Sequence, residues 1–186
     1  MAGVSPPSRD SSSQHDLSPE RLTQSARECT LRYVNPREFL QSLERAFEGM
    51  VAIAERLGDG LVNAKPDVEG ANSAYAIITH CIGVTDWWVG LMIAGRPVVR
   101  DRDAEFVAEG TVAELREAVS ALCLRLENDL AVMVPRSPIR HPELLVDTWG
   151  ARDREWTQDT ALILTLEEIA QHHGHLELGR DILLSP

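Results

Sequence analysis

Residues 160–184, TALILTLEEIAQHHGHLELGRDILL, decide how the chain is read. At 3.6 residues per turn, Glu168 and His172 stand four positions apart, so both side chains project from one helix face with roughly 5–6 Å between them. Two such groups can grip one metal ion. A catalytic divalent ion takes about three protein ligands and keeps one position open, so a third ligand comes from elsewhere in the chain. The candidate is His80, within NSAYAIITHCIGVTDWWVGLMIAG (residues 72–95), on an apolar segment with no charged residue between Glu69 and Asp86.

A blander reading stands beside this one. Glu167, Glu168, His172, His173 and His175 could all be solvated surface groups of a helix beginning at Thr165, where T-L-E-E fits a capping box. His80 alone is as well explained as a core histidine satisfied by one hydrogen bond. The three residues together, on helices facing one another in a small bundle, favour a site. Gly83, three residues after His80, leaves that face without bulk beside the imidazole, and a glycine inside a helix costs about 1 kcal/mol relative to alanine. Close packing or a cavity explains it.

At 186 residues the chain is one domain plus a tail, long enough for a real core. A formal charge of −11 argues against nucleic acid, whose phosphates are bound through Lys and Arg, and against anionic membranes. No apolar run is expected to reach the roughly 20 residues of a membrane span, and no signal-peptide blocks are recognised, so the expected address is the cytoplasm. Cys29, Cys81 and Cys123 are scattered and odd in number, which is no disulfide framework. Cys81 is a minor candidate as a ligand or reactive thiol.

Residues 1–33, rich in Ser, Pro and Asp, read as a flexible N-terminal arm. From residue 34 onward four helices are predicted. The first starts at the Asn35 cap, with Pro36 at its first position, and stops at Gly58 and Gly60. The second runs from about Asn72 to Ala94, with Ala76, His80, Gly83, Val84 and Trp87 facing inward and one of Trp87 and Trp88 at the rim. RPVVRDRDAEFVAEGT (residues 96–111) is a charged, broken connection. Thr111 and Glu114 form a capping box that opens the third helix, which carries Leu115, Val119, Leu122, Leu126 and Leu130 on one line. The stretch 135–159 is expected to be a loop or a short two-stranded piece, with Trp149 and Trp156 over the open end of the bundle and His141 as a weak ligand candidate. The fourth helix carries the Glu168/His172 pair. Four amphipathic segments without a convincing strand give an all-α four-helix bundle, and the long second and third connections suggest a crossover form.

The segments N-S-A-Y-A-I-I-T-H, ending at His80, and E-I-A-Q-H-H-G-H-L, from Glu168 to Leu176, resemble the DinB-like superfamily of metal-binding four-helix bundles. The nearer likeness is to the branch that holds the N-terminal domains of mycothiol-dependent maleylpyruvate isomerases. The resemblance covers about Asn35 to Leu184. It implies that His80, Glu168 and His172 hold a divalent ion, zinc first and nickel as the alternative, in a His/Glu/His set. It implies a metal-dependent thiol S-transferase with a detoxification-like role, acting on a small-molecule substrate with mycothiol or bacillithiol as the low-molecular-weight thiol cosubstrate. His173 and His175 are candidates for supporting the ligands, Trp87 and Tyr75 for the pocket wall, and a homodimer is possible. The isomerases carry a further C-terminal domain with no counterpart after Leu184, so isomerase activity on their substrate is not expected. Two rivals remain: a metal-dependent hydrolase, and a non-catalytic DinB-like stress or interaction protein.

Overall fold

A computed structural model describes residues 33–145 and 155–185. The expected arm, apart from Tyr33, lies outside the described residues, as do Cys29 and Trp149. Helix α1 spans Pro36–Leu61. The Arg37 backbone N–H donates to Asn35 Oδ1 at 3.0 Å, as the sequence predicts for that cap. Phe39, Leu43, Phe47, Met50, Ala54 and Leu57 repeat at helical spacing and are buried. Gly58, at φ 63° and ψ 174°, breaks the helical path in a region glycine enters without steric cost, and one further turn follows it.

Helix α2 spans Ala74–Thr85, capped by Ser73, and continues as a π-helical segment, Asp86–Ala94. Sequence periodicity read this as one α-helix; its last nine residues are instead wound wider. Gly95, at φ 76°, ends the segment, and the Arg96 N–H closes back onto the Gly90 carbonyl at 2.8 Å. Gly90 leaves room for the Arg96 guanidinium, which would collide with any Cβ there. That guanidinium pairs with Asp86 at 2.6 Å and with buried Asp129 at 2.8 Å, tying the wide segment to the next long helix. From Ala74 to Ala94 the helix is 21 residues and apolar enough to cross a membrane, which corrects the expectation that no such run exists. Two-thirds of its qualifying 18-residue window is buried inside the bundle, the pattern of a core helix.

Helix α3, Arg102–Glu105, is a single turn inside the connection that read as merely broken. Helix α4, Val112–Ala131, opens on the predicted capping box: the Glu114 N–H donates to Thr111 Oγ1 at 3.3 Å and the Thr111 N–H donates to Glu114 Oε2 at 2.7 Å. The Thr111 backbone N–H, and after it the Thr111 hydroxyl, donate to the exposed Glu114 carboxylate and hold its pKa below the ordinary value. A carboxylate lowered in the folded state contributes stability above its unfolded pKa and loses that contribution as pH falls through the folded value. Thr111→Ala removes the hydroxyl that caps the Glu114 N–H and is expected to cost about 1 kcal/mol. Urea denaturation checks this at a series of pH values; the gap between variant and parent should narrow only slightly in acid, because the variant keeps the backbone N–H that is the main support of the Glu114 carboxylate.

Helix α5 spans Gln158–Leu183, capped by Thr157, whose hydroxyl accepts from the Thr160 N–H at 3.2 Å. Thr165 is thus no cap: it is buried in mid-helix and donates back to the Ala161 carbonyl at 2.8 Å. The expected two-stranded piece is one antiparallel bridge between Pro138 and Thr157. Arg140 bonds the Met92 and Ile93 carbonyls at the end of the π segment. Trp156 is buried and stacks on Trp88, with 5.9 Å between ring centres.

Around the bundle α1 neighbours α4 and α5, and α2 neighbours the same two helices. Consecutive helices α1 and α2 therefore stand across a diagonal, so the crossover falls at the α1–α2 connection as well as between α4 and α5, while the long α2–α4 connection joins neighbours. This order brings α2 and α5, the two helices with candidate ligands, side by side.

Candidate metal centre

His80 enters the bundle from α2 and is 3% exposed. Glu168 and His172 come from α5 and are half-buried. One ligand atom from each of the three lies within 4.8 Å of the others. His172 Nε2 is 3.6 Å from Glu168 Oε2, beyond hydrogen-bond length. The His172 ring stands edge-on to that of His80, with centroids 4.8 Å apart. The predicted spacing brings the pair together, and the bundle supplies the third group.

The His80 orientation is fixed by residues the sequence reading did not single out. Glu105, on α3, is buried and lies 2.8 Å from His80 Nδ1, leaving Nε2 as the free ring nitrogen. Arg100 grips that carboxylate with two bonds, Nε to Oε1 at 2.7 Å and Nη2 to Oε2 at 2.9 Å. Phe106 stacks on the imidazole, with centroids 4.6 Å apart. Gly83 is the clue that was available: a Cβ there would collide with Glu105 Oε1. The missing bulk beside His80 makes space for a carboxylate arriving from another element.

Electrostatics suit a cation. Burial is the main cause that lowers the His80 pKa, against the opposing pull of Glu105, and keeps the imidazole neutral. The adjacent His172 ring is the main cause that lowers the pKa of Glu168, against burial. A neutral imidazole and an ionised carboxylate are the forms that ligate metals. His172 Nδ1 is buried with no hydrogen-bond partner, so the protein alone leaves this ring short of contacts. Two imidazoles and one carboxylate match the borderline donor set of zinc and its neighbours.

The three groups sit in a cavity of about 610 Å³ whose other lining residues include Val84, Trp87, Trp88, Arg100, Arg102, Phe106 and Leu144. Trp87 takes the expected wall position, edge-on to the more buried Trp88 at 4.8 Å. Tyr75 does not line this cavity: it lies five residues before His80, roughly 140° around the helix, and its hydroxyl packs at Gly110. His173, one step of about 100° from His172, points the other way, into a notch at Gly49 on α1. His175 is exposed and stacks 6.4 Å from His172 without a hydrogen bond to it, whereas Glu105 bonds the His80 ring directly. Cys81 is fully buried outside the converging group, and burial pushes its thiol far above the ordinary range. His141 pairs with Glu143 at 3.0 Å and is not among the cavity's lining residues.

A family model described as mycothiol S-transferase matches residues 38–184. No curated protein and no solved structure matches the chain. The matched stretch reaches into all four long helices and takes in His80, Glu105, Glu168 and His172; the chain belongs to the mycothiol S-transferase family, within the DinB-like superfamily.

Proposed function

We propose that this chain is a divalent-metal-dependent S-transferase that joins mycothiol to small electrophiles in a detoxification-like reaction, with His80, Glu168 and His172 as the metal ligands. The supporting observation is the convergence of those three groups on the floor of a cavity large enough for a small molecule. A divalent ion held by His80, Glu168 and His172 would supply Lewis acidity that lowers the pKa of a bound thiol, making its sulfur nucleophilic near neutral pH. The chain's own residues prepare the site. Glu105 fixes the His80 ring and leaves Nε2 for ligation. Trp87, Phe106 and Leu144 line the cavity and give it apolar surface beside the reacting groups. In the transfer, the thiol proton goes to solvent, a carbon–sulfur bond forms, and the leaving group departs with the electron pair of the bond it vacates.

The test is conjugation of monochlorobimane to mycothiol, followed by fluorescence. Protein stripped with a chelator is expected to fall to the uncatalysed rate and to recover with stoichiometric zinc or nickel. Unchanged turnover after metal removal overturns the metal dependence. Ester or amide hydrolysis in the absence of thiol would favour the hydrolase.

A further inference from the structure

The cavity over the three ligand candidates carries two guanidinium groups, in a chain whose formal charge is −11. Arg100 is committed to Glu105 through Nε and Nη2. Arg102 has no carboxylate partner among the described residues; its guanidinium carbon sits 5.4 Å over the Phe106 ring, whose other contact is His80. A guanidinium resting on an aromatic face is held in place while the donors around its edge stay open. Those donors match a planar oxyanion, which accepts two parallel bonds from one arginine. The acids that line or adjoin the cavity are committed elsewhere: Glu105 to Arg100 and His80, and Glu168 to the ligand cluster with His80 and His172. That leaves Arg102 as the guanidinium on the cavity wall with no carboxylate partner among the described residues.

We infer that Arg102 is a subsite for a carboxylate, and that the electrophile this enzyme prefers carries one. The inference rests on the transferase reading for the reaction, and on Arg102 and its place beside the His80 platform for the subsite. Mycothiol has no free carboxylate, because its cysteine carboxyl is tied up in an amide, so the anionic group belongs to the second substrate. One substrate end lies at the Phe106–Arg102 side of the cavity and its reactive carbon faces the ligand cluster. Val84 and Trp87 offer apolar surface for the body of the molecule between them.

Two electrophiles of the same shape test this, 4-(bromomethyl)benzoate and 4-(bromomethyl)benzamide, each with mycothiol and metal-loaded protein. A charge-assisted hydrogen bond of the usual strength corresponds to about 10–100-fold, so kcat/KM is expected to favour the benzoate by that ratio, mainly through KM. Arg102→Met, which keeps an apolar stem over Phe106, is expected to bring the ratio close to one, and Arg102→Lys to retain part of it. A ratio that Arg102→Met leaves unchanged, or a parent that prefers the benzamide, overturns the subsite. Should neither compound be turned over, the monochlorobimane assay decides the transferase reading separately, and calorimetric titration with 4-methylbenzoate against 4-methylbenzamide decides the subsite. Tighter benzoate binding that is lost in Arg102→Met upholds it, and equal binding in parent and variant rejects it.

Discussion

His172→Ala is expected to lose the bound cation and thiol transfer together, while the fold survives. The side chain is only half-buried and makes no full hydrogen bond to Glu168, so its removal leaves a small gap beside the cavity and no broken network. The loss in metal affinity should exceed the 10–100-fold that removing an outer partner brings, because a direct ligand goes. Glu167→Ala, one residue from Glu168 but exposed, is the matched control and should bind metal as the parent does. Competition against a chromogenic chelator measures both, and circular dichroism confirms that the helices remain. Parent-like affinity in His172→Ala would remove that residue from the ligand set.

The second large effect is expected from residues that are not themselves ligand candidates. Glu105→Gln keeps the shape of the side chain and removes the charge that Arg100 and His80 share. Losing a carboxylate that orients a ligating imidazole costs about 10–100-fold in metal affinity. Gly83→Ala should do the same by another route, since its methyl group takes the space of Glu105 Oε1 and drives the carboxylate away from the ring. The double variant should be little worse than either single, because both act through one contact. Effects that multiply would show that Gly83 matters for packing alone.

Much of this was legible in the chain itself, and the pattern of what was not has physical causes. Glu168 and His172 could be paired because the spacing of two residues on one helix fixes their relation before any tertiary structure forms. His80 could be joined to them only through the assumption that two apolar helices face each other, which the bundle realises. Glu105, Arg100 and Phe106 were hidden because α3 has four residues, too few for periodicity to show, and charged side chains in a turn-rich stretch read as solvated. Their burial comes from contact with α2, which a one-dimensional pattern does not contain. Gly83 was recognised as unusual, but its meaning depended on knowing what arrives from α3. Tyr75 and His173 were placed at the site by nearness in sequence; helical rotation of about 140° and 100° carries them elsewhere. The π winding of Asp86–Ala94 has no spacing signature, and it is held by Arg96 bridging Asp86 to Asp129 on α4, again a tertiary contact.

The most direct measurement is X-ray absorption at the metal edge of zinc-loaded protein without thiol. The predicted spectrum shows two imidazole nitrogens and one carboxylate oxygen at about 2.0–2.2 Å, with no sulfur until mycothiol is added. A sulfur neighbour in thiol-free protein, fewer than two imidazoles, or failure to bind a stoichiometric ion would contradict a shared His80, Glu168 and His172 centre.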